Sequence, residues 1–261
     1  MFGGLIFFLY FYPSKHQDRY AMKRFLLIAI FAIVCTLTLS AQEPTPAPMP
    51  ESRPVKEFLP DFTAIKVDAP IKLTLKKIAM GEAPYIIYNT KGVYTSKFVA
   101  EVDRKSRTLK INERSDPKRE SITEVEVYFT ELSDISISKA DAYVDGVLTS
   151  QLIDIYISND ANFVAEINSL DLMVYASGQS RIQLKGCTHY QTAEISTAEY
   201  DARGLETIST RVESSHNATV KVDAVERLEA KTTTGGKVYY LSHPVILRSE
   251  ITLFGGEIQR L

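Results

Sequence analysis

Ala142-Tyr143-Val144, Asn162-Phe163-Val164, Ser180-Arg181-Ile182, Tyr200-Asp201-Ala202, Ala218-Thr219-Val220, Gly236-Lys237-Val238 and Gly256-Glu257-Ile258 decide the fold class of this chain. Their first residues are separated by 20, 18, 20, 18, 18 and 20 positions, and the third residue is always aliphatic or Ala. A small or polar turn precedes each copy, for example Asn159-Asp160-Ala161 or Ser177-Gly178-Gln179. Ahead of the turn stands another apolar position: Ile137, Ile157, Tyr175, Ile195 and Ile251, slipping by one to Val212 and Ala230 in two copies.

A repeat of about nineteen residues holding two short strands and a tight turn suits one coil of a β-solenoid, each coil stacking on the last at the ordinary interstrand distance of about 4.8 Å. Leucine-rich repeats have a similar length, but their Leu-x-x-Leu-x-Leu pattern is absent. An immunoglobulin-like sandwich predicts no constant spacing.

Outward from this repeat, Ile65-Lys66-Val67, Ile71-Lys72-Leu73-Thr74-Leu75 and Val125-Glu126-Val127 alternate with period two, and no helical period stands beyond residue 58. The expected fold is all-β: a single-stranded β-solenoid, with the right-handed parallel β-helix as the expected form. Residues 58–131 form an N-terminal β part packed on or capping the repeats of 132–261, in one continuous domain, 58–261.

Further upstream the chain changes character. Met22-Lys23-Arg24 leads into the apolar run Phe25 to Cys35 and then Thr36 to Ala41, the pattern of a secretory signal peptide at 22–41 cut between Ala41 and Gln42. The run is shorter than the roughly 20 residues of a membrane span, so membrane contact is expected only through the transient leader. Residues 1–21 carry a second apolar run with no use in export, and Met22 is the expected translation start. Residues 42–57 open with Pro44, Pro46, Pro48 and Pro50, a polyproline-like spacer.

With 30 Lys+Arg against 32 Asp+Glu the net charge is -2, which argues against a nucleic-acid partner. Removing residues 1–41 leaves 26 basic and 31 acidic residues, a balance of -5. Of the 2 cysteines only Cys187 survives, flanked by Gly186 and Thr188 as a small residue in a turn or core would be.

The residues from 58 onward resemble the GIN domain family of auto-transporter adhesin heads, exported proteins of Bacteroidetes. The likeness rests on Phe62 to Leu75, on Thr108-Leu109-Lys110-Ile111, and on Val125 to Leu132. It ends in Gly235-Gly236-Lys237-Val238-Tyr239-Tyr240 with Pro244 before the last strand. The chain departs from the family at its turns, where Ala140-Asp141, Asn159-Asp160, Ala198-Glu199 and His216-Asn217 replace glycines; Asp and Asn tolerate that geometry. The resemblance implies an exported adhesin-like module and fixes no ligand or catalytic residue.

Candidate chemistry is sparse. His189, His216 and His243 are spaced by 27 and 27 residues, which fits neither one coil nor two, so no metal column is expected. Asp141, Gln179, Glu199 and Asn217 stand just before the first residue of four copies and read as turn residues more than as an oxygen ridge for calcium or sugar. Tyr143 and Phe163, beside Val144 and Val164, alternate outward and are the candidate contact surface, unless residues 62–129 pack over them. Lys221, Arg203 and Glu199 are the residues a polysaccharide lyase could use, but no G-x-S-x-G elbow, P-loop or H-E-x-x-H occurs.

The functional expectation is an exported, non-catalytic binding or adhesin-like module in the periplasm, at the cell surface or secreted. It would have no cofactor or metal, and a glycan or an envelope protein as partner. An envelope-stress sensing or scaffolding domain is the alternative, and a polysaccharide lyase-like enzyme the second.

Overall fold

The computed structural model describes residues 53–91, 97–114, 121–252 and 254–261. The leader, the cut between Ala41 and Gln42, and the spacer as far as residue 52 lie outside the described residues.

In chain order the strands are β1 (Val55–Phe58), β2 (Ala64–Asp68), β3 (Ile71–Lys77), β4 (Tyr85–Asn89), β5 (Phe98–Asp103) and β6 (Thr108–Glu113). There follow β7 (Thr123–Phe129), β8 (Asp134–Ser138), β9 (Asp141–Ser158), β10 (Asn162–Ala176), β11 (Arg181–Ser196) and β12 (Glu199–Ser215). The series ends with β13 (Thr219–Val222), β14 (Arg227–Thr233), β15 (Lys237–Tyr240), β16 (Ile246–Thr252) and β17 (Glu257–Arg260).

The long strands β9 to β12 each bend once, so one strand contributes to two walls. In β10, Phe163, Ala165 and Ile167 are buried, and past the bend the buried set changes parity to Leu172, Val174 and Ala176. Period-two alternation with one shift at a corner turns both walls' apolar sides inward. The first wall runs in parallel through β6–β2–β8–β9–β10–β11–β12–β14–β16, the second through β7–β3–β9–β10–β11–β12–β13–β15–β17. These ladders are the coils of a β-solenoid.

Two recurring devices shape the coil. On one side the turns place two residues in the left-handed region: Asn159 and Asp160, Gly178 and Gln179, His216 and Asn217, and Thr234 and Gly235 have φ between 50° and 78°. Asn159, Asp160, Asn217 and the glycines accept this conformation at little cost, whereas Gln179, His216 and Thr234 are held in it by the turn. On the other side, at the bend, stand Ser150, Ser169, Thr188 and Thr207, each 19 residues after the last. Ser150 donates to the Leu152 carbonyl (3.0 Å), Ser169 to Thr188 (2.9 Å), Thr188 to the Tyr190 carbonyl (3.2 Å) and Thr207 to the Asp223 carbonyl (2.6 Å). These hydroxyls hydrogen-bond within a bend that would otherwise bury unpaired polar groups.

The N-terminal residues belong to the same ladders. β2 lies between β6 and β8, and β3 between β7 and β9, so the first coil in sequence is sandwiched between the second and the third. Three strands do cap the stack, and all are antiparallel: β5 on β6, β4 on β7, and β1 on β4. Ile86 of β4 is fully buried and Phe98 of β5 is 8% exposed, with Tyr88 packed on Phe98 at 4.5 Å between ring centroids. At this end the apolar interior is plugged.

At the other end, inward positions of β16 stay open: Leu247, in register with fully buried Leu228, is 43% exposed, and Ile251 is 55% exposed.

The register corrects the sequence alignment. Ala142, Phe163, Ile182, Tyr200, Val220, Val238 and Ile258 form the inward column, because Phe163 pairs with Ala142 and Ile182, and Tyr200 with Ile182 and Val220. The expected column shared Ile182, Val220, Val238 and Ile258, but took Val144, Val164 and Ala202 in place of Ala142, Phe163 and Tyr200. β-Bulges between Val164 and Glu166 and between Gln183 and Lys185 absorb the changes of spacing that hid the true register. Ala176, and not Tyr175, aligns with Ile157 and Ile195.

Candidate surface for ligand contact

Phe163 cannot touch a ligand: it is fully buried, because the register slip puts it in the inward column. Tyr143 is 51% exposed on the second wall. β3 does not lie over it but beside it in the same wall, with Thr74 opposite Tyr143, so the N-terminal strands cover neither residue as expected.

The same slip turns Tyr175 outward. It pairs with Tyr156 of the preceding coil, and the two rings stack at 5.0 Å between centroids and 4° between planes on the solvent side of the first wall. Tyr156 is 40% exposed. The sequence carried a signal for this pair, since 156 and 175 differ by the 19 residues that separate the corner hydroxyls.

Around the pair lies a shallow depression of about 460 Å³ whose polar lining includes Ser158, Ser177, Glu194, Ser196 and Glu213. Alongside the rings, Asp134 and Asp154 are register neighbours on the same wall. Partial burial raises the pKa of Asp134, and Asp154 adds to the effect; partial burial likewise raises that of Asp154, with Asp171 adding. Among the described residues none of these three carboxylates is in an ion pair. Burial, together with the Asp154 charge, also raises the Tyr156 hydroxyl.

A larger depression of about 640 Å³ lies farther along the same wall, over Arg211, Arg227, Glu229 and Arg248. Its arginines converge on one carboxylate: Glu229 accepts from Arg211 (2.8 Å), Arg227 (2.6 Å) and Arg248 (3.3 Å). The tyrosine site, with unpaired acceptors beside aromatic rings, is better placed to take hydrogen bonds from something else.

The other candidates disperse. His189, His216 and His243 are exposed and separate, and no group of three or more His, Cys, Asp or Glu that could hold a metal occurs among the described residues. Asp141 and Glu199 belong to one outward column with Asn162 and Arg181, whereas Gln179 and Asn217 sit in the left-handed turns, so the four make no continuous ridge. Glu199 and Lys221 line one shallow depression, where Glu199 lies 3.6 Å from Arg181, but Arg203 is held by Asp201 (2.6 Å) and is not part of that lining. Cys187 is neither in a turn nor in the core; it is exposed on β11, its sulfur 3.7 Å from Asn168.

The interior carries a polar network around Tyr200. Tyr200 is buried with its hydroxyl on the Gln191 amide, and Gln191 accepts from Thr210 (3.2 Å). Burial holds the Tyr200 proton far above the ordinary phenol range, so this hydroxyl has a structural role.

Residues 61–244 match the family model described as "Putative auto-transporter adhesin, head GIN domain". Among solved structures, a "putative adhesin" from Bacteroides fragilis is similar with a TM-score of 0.75 and 15% identity, covering 82% of this chain and 99% of that one. A "putative adhesin" from Parabacteroides distasonis has a TM-score of 0.64 and 17% identity, over 81% of this chain and 97% of that one. From the same species a "Putative lipid binding protein" has a TM-score of 0.66 and 15% identity, again over 81% and 97%. No curated protein sequence matches the chain.

Proposed function

The chain belongs to the head GIN domain family, and on that premise we propose that it is an exported, non-catalytic adhesin-like module that contacts a glycan through the Tyr156–Tyr175 wall. The carrying observation is the stacked, solvent-facing tyrosine pair next to carboxylates that have no cation of their own. Aromatic rings offer apolar faces and edges to sugar C–H groups, while Asp134, Asp154 and the surrounding serines accept or donate hydrogen bonds to hydroxyls. Glu194 beside the rings, with Asp134 and Asp154, makes this part of the wall acidic, so a neutral or basic glycan fits it and an anionic one is repelled. Family membership supports an envelope or extracellular location, and the leader pattern at 22–41 supports export. Fold alone does not fix the activity, which is why the reading is tied to this wall.

A glycan array with the wild-type protein and the Tyr156→Ala/Tyr175→Ala variant tests it. Binding of neutral glycans that falls at least tenfold in the variant, with thermal stability nearly unchanged, is the expected result. Undiminished binding, or turnover of a polysaccharide, overturns it. A partner-protein reading has its own observation: Leu152, Leu170 and Ile208 at the bends of β9, β10 and β12, and Val225 between β13 and β14, are 39–60% exposed. Exposed apolar ridges of this kind mark protein contacts. Capture of one envelope protein, lost when Leu152 and Ile208 become Ser, would favour that reading.

A further inference from the structure

The last rung of the first wall, β16, has a free edge. It pairs with β14 on one side only, and among the described residues no strand pairs with its other edge. An uncovered edge strand of seven residues presents a row of unpaired N–H and C=O groups, the usual template for adding another strand. Of the inward side chains there, Leu247 at 43% and Ile251 at 55% exposure are apolar and wet, with Ser249 between them, and Val245 (83%) and Phe254 (90%) flank them.

The sequence of this strand, Ile246-Leu247-Arg248-Ser249-Glu250-Ile251-Thr252, is complementary to itself when reversed about Ser249. Antiparallel pairing about that residue sets Arg248 opposite Glu250 and Glu250 opposite Arg248 on the outer side, and Leu247 opposite Ile251 on the inner side. Ser249 then meets its own copy. Inner residues meet inner residues and outer meet outer, as an antiparallel ladder requires, and opposite charges face each other in both halves.

The intramolecular charges fit the same arrangement. Arg248 reaches Glu229 at 3.3 Å, but that carboxylate already holds Arg211 and Arg227 at 2.8 and 2.6 Å, so the third guanidinium is surplus. Among the described residues Glu250 makes no ion pair.

We infer that this edge is a dimerisation surface, and that its occupant is a second copy of the chain, joined by a two-fold axis through Ser249 so that β16 pairs with β16. Head-to-tail stacking is disfavoured by the far end of the solenoid, where β5, β4 and β1 cover the rungs and Ile86 and Phe98 fill the interior. The contact is isologous and closed: it makes dimers and not filaments.

The test is sedimentation velocity on the full chain, processed as its host processes it, at concentrations up to about 100 µM, well above a micromolar Kd. A concentration-dependent monomer–dimer equilibrium is expected, abolished by Leu247→Lys, a change at an exposed position that leaves the melting temperature of the dilute monomer nearly unchanged. In a background with Cys35 and Cys187 replaced by Ser, Ser249→Cys should cross-link to itself under mild oxidation, because directly opposed residues lie about 4.5–5.5 Å apart between Cα atoms, within disulfide reach. Arg248→Cys, opposite Glu250 and not itself, should cross-link several-fold less. A protein that stays monomeric over the whole range overturns the inference, as does a dimer that survives Leu247→Lys, a dimer in which Ser249→Cys fails to link, or growth into longer oligomers.

Discussion

The two ends of this solenoid face the same physical problem and meet it differently. At the N-terminal end the outermost parallel rung of the first wall, β6, keeps Leu109 and Ile111 fully buried, because β5 pairs along its edge and Phe98 and Ile86 close the interior. At the C-terminal end the corresponding rung, β16, leaves Leu247 and Ile251 about half exposed. Both rungs come from the same alternating pattern. What separates them is whether antiparallel strands were available to cover the last ladder, so a repeat dictates its interior but not its boundaries.

The interior sets the scale for any comparison of ends. Gly186 has φ +111°, and a Cβ there would stand 2.1 Å from the Ile167 carbonyl oxygen of the neighbouring coil. Gly186→Ala should therefore cost about 3 kcal/mol or more in urea denaturation followed by circular dichroism. Next comes the matched pair at the ends. Ile111→Ala should cost about 2–5 kcal/mol, whereas Leu247→Ala, measured in dilute protein, should cost less than about 1 kcal/mol. Equal losses would show that the open end is covered in solution.

Hydrogen exchange gives a smaller and more local contrast. Amides of β16 and β17 should exchange well before those of β9 to β12, and those of β6 should follow the interior. Early exchange of β6 would mean that the cap does not protect.

The smallest effect lies in the cap's own turn. The Lys110 ammonium and the backbone N–H groups of Lys105 and Ser106 hold the Asp103 carboxyl down to about 2. A folded-state value below the unfolded one means that this contribution is present above the ordinary value of 3.8 and fades as pH falls toward 2. Asp103→Asn should slightly speed exchange in the β5–β6 hairpin above pH 4, with the difference vanishing near pH 2, where wild type has lost the same charge.

Much of this architecture was legible in the chain. The 18- and 20-residue spacings gave the coil, and the small polar turns gave its tight side. The register was not legible, because strand alternation is blind to a bulge: β9 carries two extra residues between Tyr143 and Val147, opposite the step from Val164 to Glu166, so Phe163 pairs with Ala142 and not with Tyr143. Tyr200 and Phe163 were misplaced for a second reason. Both are aromatic residues in a column otherwise filled by aliphatics and Ala142, where Tyr200 is admitted only because Gln191 meets its hydroxyl. The Tyr156–Tyr175 site was missed through the same slip. The N-terminal rungs escaped because pairing there does not follow chain order: nothing in Ile71 to Leu75 announces that Val125 to Val127 will lie on one side and Ala142 to Val144 on the other.

That sandwiched first coil gives the molecule a direction under load. A pull on the chain at Pro60 runs along β2, whose Ile65 is paired with Leu109 on one flank and Ile135 on the other, so both ladders are strained together along their length. A pull at Leu261 meets β17, paired only with β15, and can open it one hydrogen bond at a time before β16 follows. A tether joined on the N-terminal side thus loads β1 first, which pairs only with β4, and then the clamped rung β2, so the single-partner strands β1 and β17 yield before the stack does.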